Sequence, residues 1–209
     1  AVNPYITEQD QNDPGSVKIF KNDNNNWTQI GEDLIGAVNG DHFGYSISLS
    51  YDGSIVAIGT PYNDDNGIQS GHVKIYKNSG NQWNQIGNDI QGKGANDHSG
   101  ASVSISDDGS FIAIGGCLIG GDGLNIGQVR IYKNIDNNWI QVGSDITGDK
   151  WHDYAGYSIS LSADGSIVAL GAPYNDPTAF GQDGVVRVYQ NINDNWLQIG
   201  SDINGESLW

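Results

Sequence analysis

Residues 44–59 read GYSISLSYDGSIVAIG, and they decide the fold class. Alternation through Ser46-Ile47-Ser48-Leu49-Ser50 sends Ile47 and Leu49 to one side of an extended chain and the serines to the other. Asp52-Gly53 then breaks the run, and the apolar arm SIVAIG follows. Asp-Gly between two such runs is a strong hairpin signal, because glycine accepts a positive φ at low cost. The same hairpin returns as GASVSISDDGSFIAIG at 100–115 and as GYSISLSADGSIVALG at 156–171.

Outward from the hairpin, everything else repeats in step. A third strand occurs as GSVKIF, GHVKIY, GQVRIY and GVVRVY, starting at Gly15, Gly71, Gly127 and Gly184, with spacings of 56, 56 and 57 residues. Each is followed by a tryptophan (Trp27, Trp83, Trp139, Trp196) inside WTQIG, WNQIG, WIQVG or WLQIG, and then by GEDLIG, GNDIQG, GSDITG or GSDING. No segment holds a helical period. The expectation is an all-β chain of four-stranded antiparallel units, about 56 residues each, stacked as blades of a β-propeller. The units divide as 1–36 (partial), 37–92, 93–148 and 149–209, within one domain of 209 residues. The four tryptophans are expected between blades, as the structural core of the repeat.

Counting strands gives fourteen, or three and a half blades, whereas closed propellers typically have four to eight. An open half-blade leaves an unpaired edge and an uncovered apolar face. Three arrangements satisfy this: a fragment of a longer propeller, a homodimer completing a seven-bladed ring, or closure by the N-terminal segment. The absence of methionine, even at residue 1, fits a processed or excised chain.

Charge narrows the partners. A formal net charge of −16 repels phosphate backbones and anionic lipid surfaces, which excludes nucleic-acid binding and disfavours membranes. No apolar stretch is long enough to span a bilayer. Cys117 is the one cysteine, so no disulfide forms within the chain.

The run Asp41-His42-Phe43-Gly44, then SISLS, Asp52-Gly53, SIVAIG and Thr60-Pro61, then GHVKIY and a tryptophan, resembles FG-GAP repeats, the repeats of integrin α-chain propellers. Residues 153–173 match again, through Asp153-Tyr154-Ala155-Gly156 and Gly171-Ala172-Pro173. The middle unit departs, with Ser99-Gly100 and Gly115-Gly116-Cys117 at those places. The resemblance implies an extracellular, secreted, non-enzymatic adhesion, scaffold or protein-binding module. It also implies Ca²⁺ in a DxDxDG-type loop between the first two strands. Here that loop is only Ser50-Tyr51-Asp52-Gly53-Ser54, and one carboxylate cannot supply the six to eight oxygens Ca²⁺ takes.

Candidate ligand-binding residues therefore lie elsewhere. The loops before the third strand carry Asp64 and Asp65, Asp122, and Asp176, with Asp64 and Asp65 also the weak candidates for a cation such as Ca²⁺. Asp41, Asp97 and Asp153 recur just before the first strand, placed to cap a turn, brace a neighbouring blade or bind. No catalytic constellation stands out. His42 and His98 exchange with Tyr154, His72 exchanges with Ser16, Gln128 and Val185, and His152 stands alone. There is no zinc spacing, no nucleophile elbow and no arginine triad. The expected ligand is a protein or a glycan, with a carbohydrate-binding propeller lectin as the alternative and a glycan hydrolase behind it.

Overall fold

The computed structural model describes residues 13–117, 125–175 and 183–206. Among them there are only strands, turns and loops. Among the described residues no helix is long and apolar enough to cross a membrane.

The partial unit contributes β1 (Ser16–Val17), β2 (Phe20–Asp23), β3 (Asn26–Gln29) and β4 (Leu34–Ile35), paired as β1–β4 and β2–β3. The first full sheet has β5 (Ser46–Leu49), β6 (Ile55–Thr60), β7 (His72–Ser79), β8 (Gln82–Gln85) and β9 (Ile90–Gln91). The second has β10 (Ser99–Ile105), β11 (Phe111–Gly116), β12 (Gln128–Ile135), β13 (Asn138–Gln141) and β14 (Ile146–Thr147). The third has β15 (Ser158–Leu161), β16 (Ile167–Ala172), β17 (Val185–Ile192), β18 (Asn195–Gln198) and β19 (Ile203–Asn204). All pairings between these strands are antiparallel, and the first four strands of each full sheet pair in chain order.

The full sheets differ from the four-stranded expectation in one respect. The outermost strand is split in two, and both pieces pair with the same third strand: β8 with the end of β7, β9 with its start. A glutamine builds the interruption. Gln85 Nε2 donates to the Gly87 carbonyl at 3.3 Å and to Asp89 Oδ1 at 2.6 Å. Gln29 and Gln141 make the same two bonds, and Gln198 bonds Asp202 at 2.7 Å. The glycine inside this bulge has φ near +74°, which other residues rarely adopt.

The core lies between sheets. Val56 and Ile58 of β6 face the partial unit, against Val17, Ile19 and Phe43. Ile55 and Ala57 face the next sheet, against Val103, Ile105, Ile112 and Ile114. Ala113, Val129 and Ile131 repeat this against Val168 and Leu170. A strand buried on both faces explains why SIVAIG is apolar without alternation, while SISLS alternates. The serines of the first strands join the sheets: Ser46 and Ser102 hydroxyls donate to the Gly100 and Gly156 carbonyls at 2.7 and 2.6 Å. Ser48 and Ser104 hydroxyls accept from the Ile105 and Leu161 amides.

Three tryptophans lie where a unit meets the one before it. The Nε1 of Trp83, Trp139 and Trp196 donates to the carbonyls of Ile30, Ile86 and Val142 at 2.8, 3.1 and 2.9 Å. Trp27 has no earlier described sheet to lie on and is 69% exposed.

Candidate functional site

The loops before each first strand and after each second strand come together at one end of the sheets. They are stitched unit to unit by backbone bonds. His98 N donates to the Gln69 carbonyl at 3.0 Å, and Tyr154 N to the Asn125 carbonyl at 3.1 Å. His42, His98 and Tyr154 hold φ of 58°, 50° and 52°, an uncommon left-handed backbone for residues other than glycine, and worth notice where it recurs. The preceding aspartates hold the loop in place. Asp97 Oδ2 accepts from the Lys93 and Gly94 amides at 2.7 and 3.1 Å, and Asp153 Oδ2 from the Asp149 and Lys150 amides, both at 2.9 Å. Buried Asp41 instead accepts from Asn63 Nδ2 at 2.8 Å.

This backbone turns rings toward one another. Tyr62 meets His42, Tyr45 and His98 edge-on, with centroids 4.8, 6.0 and 5.1 Å away. Tyr174 meets Tyr154 and Tyr157 in the same way at 5.1 and 6.3 Å. Between these two groups the middle unit has Ala101 where its neighbours have Tyr45 and Tyr157. A cavity of about 480 Å³ opens there. Tyr62 and His98 line one side, His152, Tyr154, Tyr157 and Tyr174 the other, and Cys117 lies between.

Burial sets the protonation of the lining. It pushes the Tyr62 phenol up, with the Cys117 sulfur adding to the effect, and pushes the Cys117 thiol itself up. Both are therefore neutral hydrogen-bonding groups near pH 7, and Cys117 is not a thiolate. Burial lowers His98 below the ordinary 6.5, against the opposing pull of Asp97. His98 Nε2 lies 3.1 Å from Gln69 Oε1. With Nε2 donating there, Nδ1 carries the lone pair of a neutral imidazole.

A second cluster lies at the start of β7. Asp65, His72 and Asp89 bring their ligating atoms within 4.8 Å of one another, a grouping that can hold a cation. Burial lowers His72, with Asp89 opposing.

Of the sequence candidates, the fold thus brings Asp65 to a histidine and a second carboxylate. Asp64 accepts from the Gln69 amide at 2.7 Å instead. Asp122 and Asp176 lie outside the described residues. Asp41, Asp97 and Asp153 are buried and bonded to loop groups, and none of them lines the cavity. The cavity rings and His72 escaped the sequence reading. The exchange of His42 and His98 with Tyr154 reads as packing, and the loops holding Tyr62 and Tyr174 draw attention only for their aspartates; the places where a unit departs from its neighbours, Ala101 and His72, were the available signal.

Residues 36–76 match the FG-GAP repeat family model. The chain thus carries an FG-GAP repeat, and that repeat includes Tyr62, Asp65 and His72. No curated protein matches the chain by sequence. Among solved structures, a candidate 6-phosphogluconolactonase from Bacteroides uniformis matches with TM-score 0.60 at 16% identity, over 92% of this chain and 50% of that one. The periplasmic gluconolactonase of Pseudomonas aeruginosa matches with TM-score 0.58 at 14% identity, over 93% and 51%. A second candidate 6-phosphogluconolactonase, from Bacteroides fragilis, gives 0.55 at 14% identity, over 86% and 44%. The chain spans about half the length of these structures, and the likeness is one of fold. It nonetheless corrects the expectation of a non-catalytic adhesion or scaffold module. The fold of this chain is shared by a gluconolactonase and by two candidate 6-phosphogluconolactonases, so the repeat pattern does not carry a non-enzymatic reading.

Proposed function

We propose that the chain is the body of a hydrolase that opens a small polyhydroxylated cyclic ester, a sugar lactone, in the cavity around His98. The cavity carries this reading: its volume is within the roughly 300–1,000 Å³ usual for small-molecule sites, and the His98 imidazole, lowered by burial, lines it together with His152 and four tyrosines. Tyrosine faces suit the C–H face of a sugar ring, and their hydroxyls suit its polar edge. His98 Nδ1 takes a proton from water as the water oxygen bonds to the ester carbonyl carbon. Phenol donors stabilise the oxyanion as it forms. The ring C–O bond then breaks, and the alkoxide leaving group takes the proton back from the imidazolium. The likeness to lactonase folds supports the substrate class. The test is gluconolactone hydrolysis followed by acid release. The expected rate exceeds the spontaneous one, has an acid limb centred below pH 6.5 because neutral His98 is the active form, and falls roughly 100-fold in His98→Gln. A rate no faster than spontaneous hydrolysis, or an unchanged rate in His98→Gln, overturns it.

The sheets are, in this reading, propeller blades of about 56 residues, three and a half per chain, and two copies join head to tail. What favours pairing is the repeated junction. A Cβ on Gly31, Gly87 or Gly143 would lie 2.7, 2.8 or 2.9 Å from Cδ1 of the next unit's tryptophan, whereas nothing lies within 4 Å of Gly200. Trp27 is exposed at one end of the stack, and Gly200 is open at the other.

A further inference from the structure

We infer that Asp65, His72 and Asp89 form a site for one zinc-class divalent cation. His72 is 4% exposed, yet neither Nδ1 nor Nε2 has a hydrogen-bond partner. A buried imidazole left unpaired on both nitrogens is costly, and such a group in a native structure calls for a bound water or ion. The spacing fits an ion better than a hydrogen bond. His72 Nδ1 lies 3.6 Å from Asp65 Oδ2 and 4.0 Å from Asp89 Oδ2. Both gaps are too long for hydrogen bonds. Metal–ligand bonds of about 2.0–2.1 Å in a tetrahedron put ligands about 3.4 Å apart, so small side-chain adjustments close the shell.

The donors come from three elements. Asp65 is on the β6–β7 loop, with its amide held by Asn63 Oδ1 at 3.0 Å. His72 opens β7, and Asp89 closes the bulge before β9. Gln85 fixes Asp89 Oδ1 at 2.6 Å and leaves Oδ2 facing the site. That outer bond orients a ligand as such bonds do in metal centres. Lys74 Nζ is 3.4 Å from the same Oδ2 and shares its charge. The equivalent aspartates hold closer cations: Asp33 has Lys18 at 3.1 Å, Asp145 has Lys93 at 2.7 Å and Asp202 has Arg187 at 3.0 Å. Only this unit places a histidine beside the carboxylate, where the others have Ser16, Gln128 and Val185. One imidazole with two carboxylates favours zinc over Ca²⁺, which takes an all-oxygen shell. Three protein ligands leave a fourth position for water.

The test is calorimetric titration of the full chain with zinc chloride, and separately with calcium chloride. Wild type is expected to bind one zinc per chain, with a rise in melting temperature, and calcium is not expected to compete. His72→Gln carries the residue the next unit has at this place, and is expected to weaken zinc binding about 100-fold or more; Asp65→Asn, an exposed loop change, is expected to weaken it about tenfold or more. Absence of saturable zinc binding by wild type overturns the site. So does zinc bound as tightly by His72→Gln and Asp65→Asn, which places the ion on the cavity histidines. Circular dichroism of both variants separates lost binding from lost folding. The readout is independent of lactone hydrolysis.

Discussion

Asp164 shows how one residue holds the turn of a hairpin. The Ser162 hydroxyl donates to its Oδ1 at 2.7 Å, and the Ser166 amide and hydroxyl donate to the same oxygen at 3.0 and 2.8 Å. These bonds favour the ionised form and lower its pKa from the ordinary 3.8 to about 2, the Ser162 hydroxyl contributing most. The stabilisation is present above about pH 4 and is lost as pH falls through about 2. A carboxyl-carbon NMR titration should find a midpoint near 2 for Asp164 and a rise toward 3.8 in Ser162→Ala. This motif was legible: Ser-x-Asp-Gly-Ser between two apolar runs states its own hydrogen bonds, because the partners are two residues apart. His72 was not legible. Its partners Asp65 and Asp89 lie 7 and 17 residues away, brought together only by the β6–β7 loop and by the bulge that ends at Asp89. The cavity rings were hidden for a related reason. The exchange of His42 and His98 with Tyr154 reads as substitution within a core until the positive-φ loops turn these rings toward Tyr62 and Tyr174.

The split outer strand shows what the tryptophan motif does at the scale of an element. Trp-x-Gln-x-Gly was recognised as a recurring signature, and its glutamine–aspartate pairing and glycine turn are local. What period and composition could not state is that Trp83, Trp139 and Trp196 each serve the preceding unit's bulge, since that partner lies 53 or 54 residues earlier. Trp139 combines half-buried packing with the bond to the Ile86 carbonyl. Trp139→Phe keeps most of the packing and loses the donor, and should cost about 1 kcal/mol. Trp139→Ala also opens a cavity between two sheets, and should cost about 3 kcal/mol. Gly87→Ala adds a Cβ 2.8 Å from both the Asn137 carbonyl and Trp139 Cδ1 at a positive φ, and should destabilise by roughly 1–3 kcal/mol. Urea denaturation would rank the three. Equal losses for the phenylalanine and alanine variants would mean that the hydrogen bond, not the packing, holds this junction.

At the scale of the whole molecule, every described internal junction is built alike, and the proposed head-to-tail pair would repeat that junction between the two ends of the stack. Val73 and Val129 are fully buried, while Val186 at the same place in the last unit is 41% exposed. Ile90 and Ile146 are 6% exposed, against 60% for Ile203. This uncovered face is the kind that Trp83, Trp139 and Trp196 cover inside the chain, and the matching indole, Trp27, stands free at the other end. A head-to-tail pair would set Trp27 of one copy over Gly200 of the other and give it the Ile199 carbonyl as acceptor, twice, around a closed two-fold ring. Light scattering coupled to size exclusion should then read twice 22.4 kDa. Each copy carries −16, so pairing works against charge repulsion and should strengthen with salt. Trp27→Arg and Ile203→Asp change exposed side chains on opposite ends. Each alone should give folded chains of 22.4 kDa, since either end is required at both junctions. A wild-type mass of 22.4 kDa at high protein and salt concentration would end the pairing reading, as would a dimer that survives both substitutions.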